Sequence, residues 1–319
     1  MKNASLLRPL IVQGLLETDI PKNISDFKSW ISSGQYIIRS VPSKKEIQIE
    51  INNDYAFSHM LAYDSCRTAT ASFESMQSIH SINGLPKSYS WIAITCYYAA
   101  FFSAHAIMRC FGYTCSQLER GHIQILHDYS SAIGISNSLK LEKGYFCGKH
   151  DASCRIFTLR KMVNTHEDTW FWFTKCLESM SQDVLGVSGV TSRKQALSAE
   201  IDDLIIGLKN NGHSVKGNYL SQFRNAVNYR QEYDSWHPYG KGSIQAEQVL
   251  SLVRNWKNES IPLVGGWKKS KDVYNYFFTC AAIVNLCHSL IQVIIDNSES
   301  NNNLYKRWPN KFLLLTSAL

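Results

Sequence analysis

Two long apolar stretches limit what this chain can fold into. Between Ser90 and Cys110, the residues Trp91, Ile94, Tyr98, Phe101, His105 and Met108 recur at alternating steps of three and four. At about 100° per residue, that spacing puts them on one stripe of a helix. Between Val273 and Ile295, the set Phe277, Ala281, Val284, His288, Ile291 and Ile295 repeats the pattern. An apolar stripe has to be covered, and two in one chain can cover each other, so a helical bundle built around them is expected. Both stretches approach bilayer length. Thr95, Ser103 and His105 interrupt the first, and Asn285, His288, Ser289 and Gln292 the second, so both are read as core helices and no membrane partner is expected.

Further helices fill out the bundle. One is expected from about Tyr55 to Ile79, with Phe73, Met76 and Ile79 suitably spaced until Asn83, Gly84 and Pro86 break it. Thr165 and Asp168 form a capping box ahead of a helix carrying Trp170, Phe173, Leu177 and Met180. Others run from Lys194 to Lys209 (ended by Gly212), from Tyr219 to Tyr233, and from Ile244 to Trp256. Near the N-terminus, Ser25 and Asp26 cap a short helix through Ile31 that Gly34 ends.

The clearest strand is Glu46 to Asn52, where Ile47, Ile49 and Ile51 alternate with polar residues. Pro42, Ser43 and Lys44 turn the chain back from a Tyr36 to Val41 strand, and a second hairpin is expected within about 136–162. The fold is therefore read as mainly α, with an N-terminal extension over 1–54 and a helical domain over 55–319 into which the second hairpin is inserted. Ser298 to Asn303 reads as a polar linker.

The formal net charge of +7 permits a polyanionic partner without demanding one, and Lys and Arg outnumber Asp and Glu by five from Lys216 onward. Nine cysteines without a CxxC pair point to reduced thiols, and the start of the chain lacks the pattern of a secretory signal, so a cytoplasmic protein is expected. Cys147, His150 and Cys154 offer three zinc ligands that Cys115 or His122 would have to complete. The run Lys268, Lys269 and Lys271 offers phosphate contacts against the plainer reading of a solvated loop.

The segment SWIAITCYYAAFFSAHAIMRCFGY, residues 90–113, resembles the tyrosine- and alanine-rich helix of HEPN domains, helical bundles found in prokaryotic ribonucleases, toxins and defence proteins. The later segment FRNAVNYRQEYDSWH, residues 223–237, resembles the family's second signature: an Arg, usually a polar residue after it, and a His after four to six intervening positions. Two registers fit. Arg224 and Asn225 match the opening, but Tyr229 stands in the His place; alternatively Arg230 is followed after six residues by His237, with Gln231 in the polar place. On one straight helix Arg224 and Tyr229 diverge, and Pro238 biases His237 away from helical geometry.

The resemblance implies an endoribonuclease working without a metal or other cofactor, usually as a homodimer whose motifs meet across a cleft, in a toxin or anti-phage setting with an antitoxin or other defence protein as a further partner. His237 would then be the acid or base, Arg230 and Arg224 the phosphate clamps, and Asn225 an orienting group. Tyr229, too weak a base at an ordinary phenol pKa, points instead to a binding or assembly module that does not cut. A zinc-stabilised structural protein is the third class.

Overall fold

Asp26 starts the first helix as its side chain dictates: the carboxylate accepts the Ser29 amide at 2.8 Å, and Gly34, at φ +66°, ends the run to give α1 (Phe27–Ser33). The computed structural model describes the chain apart from residues 20–25, 81–86, 136–139, 211, 242, 258–270 and 317–319. Ser25, Asn83, Gly84, Pro86, Lys268 and Lys269 therefore lie outside the described residues. The protein is mainly helical, at 62% helix and 13% strand, with one antiparallel sheet.

The expected hairpin is formed by β1 (Tyr36–Ser43) and β2 (Glu46–Ile51), paired through Tyr36 and Ile51. Alternation decides its orientation, since Ile47, Ile49 and Ile51 are buried while the residues between them are only half-buried. The chain continues through α2 (Asp54–His80), α3 (Ser90–Cys110), β3 (Tyr113–Leu118), α4 (Arg120–Ala132), β4 (Gly144–Asp151) and β5 (Ile156–Lys161). β3 and α4 have no counterpart in the sequence reading. The five strands make one sheet in the order β1-β2-β5-β4-β3, so the two hairpins share a single surface. Phe27 and Trp30 of α1, Phe57 of α2 and Phe157 of β5 interlock between the sheet and the helices.

The helical layer adds α5 (Thr165–Gly186), α6 (Thr191–Leu208), α7 (Tyr219–Arg230), α8 (Ala246–Val253) and α9 (Lys271–Asn297). α3 runs through its middle, packed on α2, α9, α7 and α5. The two long apolar helices do meet, and the Tyr276 hydroxyl of α9 donates to the Ala93 carbonyl of α3 at 2.7 Å. By length and composition both could cross a membrane, but 72% of the apolar window of α3 and 78% of that of α9 are buried in the protein.

Three local expectations need correction. Only the C-terminal half of the α3 stripe is core: Phe101, His105 and Met108 are buried, whereas Trp91 is 66% and Tyr98 38% exposed. The cause is lateral: Ile92, Ala93, Cys96, Ala99 and Ala100 are buried instead, where α3 packs on α2 and α9. α5 is capped one residue earlier than expected, with the Asn164 side chain accepting the Glu167 amide while the Asp168 carboxylate accepts the Val163 and Asn164 amides. α7 stops at Arg230 rather than running to Tyr233, because Gln231, Tyr233 and Asp234 all adopt positive φ.

Candidate functional site

α7 carries Arg224, Asn225, Tyr229 and Arg230 of the two registers. Its apolar stripe, Leu220, Phe223 and Val227, is buried, with Phe223 stacked on Tyr276 of α9 at 4.0 Å. That anchoring turns Arg224 inward and leaves Asn225 exposed. Across from it stands the first turn of α5, and between the two lies a cleft of about 460 Å³ lined by Asn164, His166 and Glu167 on one side and by Asn218, Ser221, Gln222, Arg224, Asn225 and Tyr229 on the other.

Arg224 is 6% exposed, yet no carboxylate among the described residues lies within ion-pair distance of it, and its Nε has no hydrogen-bond partner. Its guanidinium sits 4.8 Å from the centre of the Tyr97 ring and 6.0 Å from that of Tyr98. Aromatic faces attract a cation by up to about 2 kcal/mol when water is excluded. They do not neutralise it, so the guanidinium keeps its charge at the wall of the cleft.

His166 faces the same cleft from α5. Its Nδ1 is 2.9 Å from the Tyr97 hydroxyl, and that hydroxyl accepts a hydrogen bond from the buried Trp170 indole at 3.2 Å. Phe101, at 4.9 Å, packs against the imidazole and fixes its orientation. Burial, and then repulsion by Arg224, hold the His166 pKa below the ordinary histidine value. Burial raises the Tyr97 pKa, so the phenol stays protonated and can either donate to Nδ1 or accept from it. Nε2 makes no hydrogen bond to any described group, which leaves it for a ligand. Glu167 is already engaged, its carboxylate bound to Lys216 at 2.5 Å.

The two sequence registers are thus set apart. Arg224, Asn225 and Tyr229 line one cleft, although the first and last diverge on α7 as expected of a straight helix, Arg224 being buried and Tyr229 71% exposed. Arg230 lies outside that lining, 61% exposed and paired with Glu232 at 2.9 Å. His237 is exposed in the turn that follows and is also outside the lining. That turn is pinned by hydrogen bonds from the Trp236 indole to the Val227 carbonyl and from the Tyr89 hydroxyl to the Tyr233 carbonyl.

Strand geometry separates the three candidate zinc ligands. Cys147 and His150, three apart on β4, point to opposite faces. Cys147 lies buried opposite Cys115 of β3, His150 packs on the Phe57 ring at 5.0 Å, and Cys154 is exposed in the following turn. Among the described residues no three His, Cys, Asp or Glu side chains are placed to hold a metal. His122 serves the capping box of α4, its Nδ1 accepting from the Glu119 amide. Lys271 opens α9, but its side chain is outside the described residues.

His166 was not singled out by sequence reasoning. The available signal was its position four residues before Trp170, which puts an imidazole and a core indole on one face of a helix start. Compared with known protein families, characterised proteins and solved structures, the chain gives no match.

Proposed function

We propose that the chain is a HEPN-like endoribonuclease whose cleft, between α5 and α7, binds a phosphodiester over Arg224 and cuts it with His166 as the proton-transfer group. The observation that carries this reading is the buried guanidinium without a carboxylate, beside an imidazole whose Nε2 is unengaged. The single negative charge of the phosphodiester would supply the missing counter-charge, and Arg presents the planar fork that matches its oxygens.

RNA carries its own nucleophile. With the Tyr97 oxygen accepting from Nδ1–H, the bare Nε2 takes the proton of a 2′-hydroxyl; the 2′-oxygen attacks phosphorus, the bond to the 5′-oxygen breaks, and that oxygen takes a proton from solvent. Products would be a 2′,3′-cyclic phosphate and a 5′-hydroxyl. Arg224 stabilises the charge that builds on the phosphate oxygens, and Asn225 offers an amide to orient them. Within this proposal the protein is cytoplasmic, acts as a homodimer, and serves a toxin or anti-phage role under the control of a partner protein.

A second reading, a module that binds RNA without cutting it, is favoured by Tyr229, which is 71% exposed in the position where the family's motif has histidine. One experiment separates the two. Purified protein is incubated with RNA and excess chelator beside Arg224→Gln and His166→Asn, and new 2′,3′-cyclic phosphate ends are counted. Cleavage by the wild type and its loss in both variants supports the enzyme; Arg224-dependent binding without cleavage supports the module; neither binding nor cleavage removes both.

A further inference from the structure

The outer face of α3 has aromatic rings where a core helix would have been covered. Trp91 and Tyr98, seven residues apart, share one face of the helix, separated by about 10 Å along its axis. Trp91 is 66% and Tyr98 38% exposed, and Phe102, one turn further on, is only partly buried. Such a row in solvent is uncommon on a helix this apolar. It is also held in place: Trp236 meets Trp91 edge to face at 5.6 Å, and the Trp236 indole donates to the Val227 carbonyl at 2.8 Å.

The row leads into the cleft. Tyr98 is the ring 6.0 Å from the Arg224 guanidinium, so the shelf and the proposed phosphate site share a wall. The patch is small: at about 150–250 Å² per aromatic side chain, its exposed part amounts to a few hundred Å² at most. A stable protein partner needs about 800 Å² on each side. The most exposed members of the row are rings, with Ile94 only half-buried between them, and ring faces are what a nucleobase stacks on.

We infer that this shelf binds unpaired bases of the RNA strand whose phosphate lies over Arg224. A base inside a duplex has both faces covered by its neighbours, so only a single-stranded segment can offer one to Trp91 and Tyr98. The inference rests on the phosphodiester reading of the cleft, and the site selects strand state rather than base sequence.

The test is a binding titration, read by tryptophan fluorescence and anisotropy, with a 2′-O-methyl oligoribonucleotide that resists cleavage, in single-stranded and duplex form, and with inorganic phosphate as a probe of the cleft alone. Trp91→Ala is expected to weaken single-strand binding by about 5- to 100-fold with phosphate binding unchanged, and adding Tyr98→Leu, whose ring also faces Arg224, weakens single-strand binding further. Trp91→Phe should keep most of the affinity, and Arg224→Gln should lose both ligands. If the shelf variants bind the single strand as the wild type does while Arg224→Gln fails, the shelf is wrong and the cleft reading stands. If the wild type binds neither oligonucleotide nor phosphate, the cleft reading falls and takes the shelf with it. If Trp91→Ala turns a dimer into a monomer by light scattering with RNA affinity unaltered, the face is an interface between two copies and the inference is overturned.

Discussion

Arg109 and Arg224 are both buried guanidinium groups, at 4% and 6% exposure, but they are held in opposite ways. Arg109, at the end of α3, lies 3.7 Å from the Asp64 carboxylate of α2 and donates to the His105 carbonyl at 3.0 Å and the Cys115 carbonyl at 3.3 Å. It ties two helices to β3 and faces a carboxylate, which it shares with Arg67. Arg224 has two tyrosine rings and an open cleft. Burial alone does not mark function; a buried cation that the fold leaves without its counter-ion does.

The comparison can be broken by exchanging the burdens of the two residues. Replacing Arg224 with Gln should lower RNA cleavage by about 100- to 1,000-fold, the size of losing one donor to a developing oxyanion, with no fall in melting temperature. Asp64→Asn should do the reverse, leaving Arg109 buried without its partner at a cost of about 3–5 kcal/mol in urea unfolding while cleavage per folded molecule is kept. Equal stability losses in the two variants would erase the distinction.

Two histidines sharpen it further. His288, on α9, has its pKa pushed down to about 4 by burial first and then by Lys257. The unfolded chain takes up that proton below about pH 6.5 and the folded protein only near 4, so stability is present above the first value and is lost as pH falls toward the second. Between pH 7 and pH 4.5 the loss should be about 2–3 kcal/mol, measured as the difference in pH slope between wild type and His288→Gln. His166 lines the open cleft instead. Its titration, followed by NMR, should fall below the ordinary histidine range in the free protein and move upward both in Arg224→Gln and on adding phosphate, since each removes the repulsion of an uncompensated guanidinium. A midpoint indifferent to both changes would separate the two side chains functionally. The smallest effect is expected at Tyr229: with His166 supplying the imidazole, Tyr229→Phe should change cleavage by less than about 3-fold.

Much of the scaffold can be read from local chemistry. Asp26 and Gly34 bound α1, the isoleucine alternation sets β2, and the α9 stripe is buried as its spacing requires apart from half-buried His288. Periodicity failed on α3 because a helix packed on several sides has more than one apolar face, and spacing does not say which of them meets water. The end of α7 was hidden because Gln231, Tyr233 and Asp234 take positive φ without a glycine to announce it. Arg224 and Asn225 were legible as candidates. Their partner was not, because His166 lies 58 positions earlier and reaches them only through the packing of Tyr97 and Trp170.

The most direct test is the salt dependence of binding of a non-cleavable single-stranded oligoribonucleotide to the wild type and to Arg224→Gln. If a phosphate is the missing counter-ion, the variant binds at least about 10-fold more weakly, and the slope of log affinity against log salt drops by about 0.7, one phosphate contact on a single strand. Identical affinity and identical slope in the two proteins would contradict the assignment of Arg224 to a phosphate site.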